Sequence, residues 1–151
     1  MSEDRVFMMG KFEAKFPVDL HYAKNHMWAR SEGNRHRFGL SAYAVRLLQD
    51  VYFLEWNLDP GDRVREKQPM GGIESSKAES DLYAPMAGTL VAINELLLSD
   101  PSHINVDKYG NGWLFEIEGT TDALLSTDAY LEHLEASWDV AQKTIKGQLN
   151  E

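Results

Sequence analysis

One lysine organises the chemistry this sequence is equipped for. The run Gly71-Gly72-Ile73-Glu74-Ser75-Ser76-Lys77-Ala78-Glu79-Ser80-Asp81-Leu82-Tyr83-Ala84-Pro85 sets two β-like stretches around a small, polar centre. That pattern predicts a hairpin with Lys77 near its tip. Its neighbours Ser76 and Ala78 are small and leave the amine open to a modifying enzyme. Glu74, Glu79 and Asp81 surround it, and carboxylates favour the ammonium form over a nucleophilic amine. Taken locally, the same segment also reads as a solvated surface lysine, because lysines are seldom buried. The chain has no cysteine. Disulfides, thiolate metal sites and a thiol nucleophile are therefore excluded together. Any sulfur redox chemistry has to come from a cofactor or a partner.

Other chemistries find less support. His21, His26, His36, His103 and His133 show no metal-ligand spacing, and the closest pair, five apart, sits in a stretch that does not read as helix. No metal site is expected, and His26 reads as a packing or hydrogen-bonding residue. G-x-S-x-G, P-loop and G-x-G-x-x-G motifs are absent. Gly71-Gly72 lies in a strand with no following helix, so it cannot cradle phosphate. Arg35-His36-Arg37 reads as a solvated loop cluster beside a turn. With no acid–base or nucleophile set in view, a catalyst is not expected. Lys plus Arg is 15 and Asp plus Glu is 24, a net charge of −9. So acidic a chain fits neither a nucleic-acid footprint nor adsorption to an anionic membrane. No apolar run approaches the ~20 residues of a membrane helix. Met1-Ser2-Glu3-Asp4 lacks the basic and apolar regions of a signal peptide, and the expected compartment is the cytoplasm.

The elements that must hold Lys77 follow from local pattern. At 151 residues and 43% hydrophobic content, one packed domain is expected. Residues 1–16 carry scattered apolar residues with no clear period and read as a lead-in with a short helix, ended by Pro17. Met27–Ala29 and Arg37–Leu40 read as strands joined through Gly33-Asn34. Ser41 is a candidate N-cap for a short helix carrying Ala42, Val45 and Leu48. Val51–Trp56 is β-branched and aromatic, hence a strand, and Asp59-Pro60-Gly61-Asp62 is a turn. Short strands follow at Pro69–Ile73, Leu82–Pro85 and Gly88–Ile93, then a helical turn at Asn94–Leu98. Gly110-Asn111-Gly112 is a turn before a last strand, Trp113–Glu118. From Thr127, Leu131, Leu134, Trp138, Ala141 and Ile145 step by three and four, one apolar face of a helix capped by Ser126 or Thr127 and ended by Gly147.

Leu20-x-Tyr22, His26-x-Trp28, Gly39-x-x-x-Tyr43-Ala44, Pro60-Gly61-Asp62, Glu74-Ser75-x-Lys77-Ala78, Ser80-Asp81, Ala84-Pro85-x-x-Gly88, Asn94 and Tyr109-Gly110-x-Gly112-Trp113-Leu114 occur in this order. Together they make the chain from about Pro17 to Glu135 resemble the H proteins of the glycine cleavage system. The resemblance implies a β-rich barrel-sandwich hybrid of two small antiparallel sheets with a C-terminal helix. It divides the chain into a lead-in (1–16), a lipoyl-carrier domain (17–126) and a terminal helix (127–151). It also implies a lysine at a hairpin tip carrying lipoate by amide linkage, which falls on Lys77. Glu74 falls on the glutamate read by the lipoate-attaching enzyme. Biotinyl relatives of this fold prefer Met on both sides of the lysine, so Ser76 and Ala78 disfavour biotin. The partners implied are the decarboxylase, the tetrahydrofolate-dependent aminomethyltransferase and dihydrolipoyl dehydrogenase of glycine cleavage.

The departures concern the cargo. Where those H proteins read His-Glu-Trp, this chain has His26-Met27-Trp28, and Asn25 replaces a common serine or glutamate. In the family that glutamate resembles part of a pocket for the cationic aminomethyl group, and Met27 cannot pair with an ammonium. Asp81, the other acidic position, is kept. Gly39-Leu40-Ser41-Ala42 loses a further acid, and the residue before the lysine is Ser76 rather than Val. Asp81, Met27 and His26 are thus expected to form the arm's environment. The closest resemblance is then to the H-like lipoate-binding proteins of cytoplasmic sulfur oxidation, which work with a heterodisulfide-reductase-like complex. A sulfur cargo has no ammonium to pair, and a thioether suits it. Glycine cleavage is the alternative, and adaptable packing accounts for Met27 equally well.

Overall fold

The computed structural model describes residues 4–149, with side chains described through Asp139. Three antiparallel assemblies account for its strands. The first is a hairpin of β1 (Asp4–Met9) and β2 (Phe12–Pro17), in register from Asp4 opposite Pro17 to Met9 opposite Phe12. The second has six strands: β3 (His21–Tyr22), β4 (Met27–Glu32), β5 (Arg35–Leu40), β7 (Arg63–Val64), β10 (Gly88–Ile93) and β11 (Phe115–Glu118), in the order β3-β4-β5-β11-β10-β7. The third has three: β6 (Val51–Trp56), β8 (Pro69–Ser75) and β9 (Glu79–Tyr83), with β8 in the middle. Helices α1 (Ala42–Leu48), α2 (Leu96–Ser99), α3 (His103–Val106) and α4 (Thr127–Leu149) complete the chain. The expected β-rich sandwich with a C-terminal helix is what forms. One sheet is larger than the other.

The lead-in is not a short helix. Phe7 and Met9 on β1, and Ala14 and Phe16 on β2, point inward in strand alternation, while Val6 and Met8 stay exposed. Those two outward apolar residues hide the period from a sequence reading. Gly10 closes the pair at φ 65°, the positive φ that the first position of a tight hairpin turn favours. Arg35-His36-Arg37 is not a loop either. It lies in β5, where both arginines bond Glu116 at 3.1 and 2.8 Å. The buried His36 reaches the Gly119 carbonyl at 3.0 Å. The last strand starts at Phe115 rather than Trp113, and α4 runs through Gly147 to Leu149 rather than ending there. The side chains of Ala141 and Ile145 lie outside the described residues. Ser126 is the cap of α4, its hydroxyl accepting from Ala129 N at 3.2 Å. Ser41 precedes α1, but its hydroxyl is committed elsewhere.

Two cores hold these layers. The main one lies between the sheets and joins Phe38, Leu90, Phe115 and Ile117 of the larger to Leu54, Met70, Ile73 and Leu82 of the smaller. The second is aromatic and joins the hairpin, β3, β4, α1 and α4 through Phe16, Tyr22, Trp28, Tyr43, Tyr130 and Leu134. Tyr22 and Tyr130 stack with centroids 4.7 Å apart, and Phe16 meets both edge-on at 5.9 and 5.6 Å. Several polar handles in and around this cluster find partners, as buried hydroxyls and indoles require. Tyr22 donates to Pro17 O at 2.7 Å, Trp28 to Lys108 O at 2.8 Å and Tyr109 to Lys15 O at 2.8 Å.

His26 sits at the edge of this core, in the turn between β3 and β4, with φ 72°. Its Nδ1 lies 2.9 Å from the Tyr130 hydroxyl, which is also 2.8 Å from the Ser41 hydroxyl. Its ring lies against Tyr43 at 4.6 Å and His133 at 5.5 Å. Burial, and secondly His133, push the imidazole pKa down to about 4.

Two outcomes follow from these contacts. Phe16→Ala empties a fully buried ring site and should cost about 3–5 kcal/mol of stability in urea unfolding; a loss under about 1 kcal/mol would show that the hairpin is not integral to the fold. His26 stays neutral in the folded state down to about pH 4, whereas the unfolded residue titrates near 6.5. The unfolded chain therefore binds more protons as pH falls through that window, so stability falls. Melting curves at pH 7 and 5 should show His26→Gln losing less stability on acidification than wild type, by about 1–2 kcal/mol. An equal acid loss in both proteins contradicts this role for His26.

Candidate functional site

The hairpin of β8 and β9 carries Lys77 at its tip, as the spacing predicts. Ser75, the last residue of β8, is buried and ties the turn together. Its N–H donates to Ala78 O at 2.9 Å, and its hydroxyl donates to the same carbonyl at 3.1 Å. The same hydroxyl accepts from the N–H groups of Ala78 at 3.2 Å and Lys77 at 3.4 Å. Serine suits this place because its short hydroxyl can bond nearby backbone groups. Ser76 clasps the neighbouring segment: its N–H donates to Asp50 O at 2.9 Å, and its hydroxyl accepts from Asp50 N at 3.2 Å. Asn105 of α3 holds that segment from behind, bonding Val51 N at 2.9 Å and Gln49 O at 2.6 Å. The backbone under Lys77 is thus pinned on both sides. The lysine side chain is exposed and makes no ion pair with any described residue.

The acids do not cage the amine. They lie on the outer face of the small sheet, in two rows fixed by register. One row is Phe53, Glu74 and Glu79; the other is Glu55, Gly72 and Asp81. Together with Ile73 and Ser80 these residues line an open trough of about 330 Å³. Gly72 lies on its floor, where a Cβ would make an ordinary van der Waals contact with the Glu55 carboxylate at 3.5 Å. Glu74 directly opposite Glu79 is a like-charge pair, an arrangement that costs stability in a sheet. Phe53 and Glu55 were not singled out from sequence; their shared parity in Val51–Trp56 is the signal that would have found them. Nothing in the sequence pointed to Asn105.

His26 and Met27 stand apart from this face. Met27 is 2% exposed and packs in the main core with Leu82 of β9, so its side chain is a core filler. His26 is committed to Tyr130. Asn25 joins the two regions, its side-chain amide donating to Tyr83 O at the foot of β9 at 3.1 Å. Beside that contact lies a second cavity of about 340 Å³, lined by Ala23, Lys24, Asn25, Tyr83, Ala84, Pro85 and Leu125 among others. Among the described residues no group of His, Asp and Glu converges on a metal position, and no helix is long and apolar enough to cross a membrane.

Comparison with known proteins covers most of the chain. The glycine cleavage H-protein family model matches residues 20–140. The probable glycine cleavage system H protein of Haloarcula marismortui is 40% identical over 123 residues, 79% of this chain and 96% of that protein. The H protein of Idiomarina loihiensis is 44% identical over 122 residues, covering 78% and 94%. A crystal structure of the H protein from Mycobacterium marinum superposes with a TM-score of 0.71 at 31% identity, over 80% of this chain and 99% of that one. The β1–β2 hairpin and the last turns of α4 fall outside the residues that the family model matches. With the ordered motifs and the sandwich in agreement, the chain belongs to the glycine cleavage H-protein family.

Proposed function

We propose that the protein is a non-catalytic carrier that bears lipoate in amide linkage on Lys77 and shuttles the aminomethyl group between the enzymes of glycine cleavage. The observation that carries this reading is a free lysine on a pinned hairpin tip in a member of this family. The residues fit the group. An acylated lysine has to be reachable by an attaching enzyme, and the Lys77 side chain is exposed with small residues on either side. Once attached, lipoate supplies a dithiol on a long tether, which a chain without cysteine cannot supply itself. The protein's own task is positional. The Ser75–Ala78 turn and the Ser76–Asp50 clasp fix the arm's root, so its sulfurs visit successive partners at high effective concentration.

Glu74 serves recognition by the lipoate-attaching enzyme, supported by its place on the trough beside the tip. Asp81 lies on the same face and His26 near the foot of β9; we read them, with Met27, as the arm's wider surroundings. The relatives named above are H proteins of glycine cleavage, which moves the pathway reading away from sulfur oxidation and its heterodisulfide-reductase-like complex. One observation keeps that second reading in the test: position 27 offers no carboxylate to an ammonium cargo. The buried Met27 is explained by packing, so it gives sulfur no positive support.

In vitro, a lipoate ligase should add one lipoyl group to the wild-type chain and none to Lys77→Arg. Glu74→Gln should slow the addition about tenfold, the effect of one lost charge-assisted contact of about 1.4 kcal/mol. Modification of Lys77→Arg would move the attachment site elsewhere. In a glycine–bicarbonate exchange assay with the decarboxylase, the lipoylated protein should support robust exchange. No exchange, together with acceptance of persulfide sulfur, would favour the sulfur reading.

A further inference from the structure

The backbone that clasps Ser76 is itself in an unfavourable shape. Gln49 ends α1 at φ 61° and ψ −138°. A side chain at such a φ crowds its own backbone, so this region belongs mainly to glycine. A residue stays there only where its surroundings over-determine it. At Gln49 the surroundings are two side chains on opposite sides of one short segment. Asn105 donates from Nδ2 to Gln49 O at 2.6 Å and accepts at Oδ1 from Val51 N at 2.9 Å. Ser76 accepts at Oγ from Asp50 N at 3.2 Å and donates from its N–H to Asp50 O at 2.9 Å. Each of the two peptide units flanking Asp50 therefore has one end on Asn105 and the other on Ser76. Asn105 is fixed in turn by its neighbour Ile104, which is fully buried in the main core.

Strain and clasp are coupled through those two peptides. Without Asn105, Gln49 relaxes toward the ordinary backbone regions, and the rotation turns both peptides away from Ser76. The residue next to Ser76 is Lys77, so the root of the arm loses its tie. That matters for one chemical step. The neutral Lys77 amine attacks the carbonyl of a lipoyl adenylate; the N–C bond forms, the C–O bond to AMP breaks, and the nitrogen gives up a proton. An amine misplaced by about 1 Å pays in the rate of that step rather than in encounter. We infer that Asn105 is a positioning residue for the acylation of Lys77, acting by holding Gln49 in its strained conformation so that both peptides of Asp50 face Ser76. The inference rests on the reading that Lys77 is lipoylated. It gives the fixing of the arm's root to a side chain on a different element, two contacts away from the amine.

The test uses the full unmodified chain, with Asn105→Ala and with Asn105→Ala combined with Gln49→Gly. Two readouts are compared: amide hydrogen exchange at Ser75 and Ser76, and kcat and KM for the chain as substrate of a lipoate ligase supplied with lipoate and ATP. The Ser76 amide reports the clasp to Asp50, whereas the Ser75 amide bonds Ala78 O inside the turn and serves as the control. Asn105→Ala should speed exchange at Ser76 about tenfold relative to Ser75, the scale of the bonds lost. It should lower kcat about tenfold and leave KM unchanged. Glycine at position 49 is at ease in the observed conformation, so the combined variant should recover both values. A general loss of packing would move the two amides together and would not be repaired by glycine. Wild-type exchange and kcat in Asn105→Ala, or no recovery in the combined variant, would overturn the inference alone. A wild-type chain that takes no lipoyl group would overturn the reading beneath it as well. Should Asn105→Ala fail to fold, Asn105→Asp keeps the acceptor for Val51 N, loses only the donor to Gln49 O, and decides the matter by the same readouts.

Discussion

A carrier has to combine a side chain free to travel with a backbone that does not move, and the Ser75–Ala78 turn meets that demand. One buried serine hydroxyl bonds three backbone groups at once, so the turn has a single shape. The reciprocal bonds between Ser76 and Asp50 attach it to the strand opposite. Asn105 anchors that strand's start to α3. Without this chain of contacts Lys77 would be an ordinary surface lysine. With it, the amine occupies a repeatable position.

Charge and glycine placement extend the same logic across the small sheet. Placing Glu74 opposite Glu79 works against sheet stability, yet it gives a partner a negative face beside the lysine. Gly72, between Glu55 and Asp81 in the neighbouring row, adds no side chain to that face. Such surfaces govern encounter and partner choice more than raw affinity. The net charge of −9 makes the whole molecule suited to partners with basic docking faces.

Much of this was legible in the sequence, and the gaps have physical causes. The Lys77 hairpin was legible because small polar residues between β-like runs leave few alternatives to a turn. The β4–β5 hairpin was legible from Gly33-Asn34, and α4 from its three-four spacing. The β1–β2 hairpin was not, because Val6 and Met8 are apolar on the outer face and blur the alternation. Nor was the fate of Ser41, whose hydroxyl serves Tyr130 across 89 residues instead of capping its own helix. Contacts of that span carry no local signature. Met27 shows the limit most clearly. A missing acid reads from sequence equally as a changed cargo or as adaptable packing, and only the fold shows that the residue packs in the core.

All of this depends on one amide bond at the hairpin tip. The most direct measurement is the intact mass of the protein purified from its own cells grown with ample lipoate, followed by fragmentation of the peptide spanning Glu74 to Tyr83. The account predicts one lipoyl group, carried on Lys77. An unmodified mass, or a lipoyl group on another lysine, would contradict it.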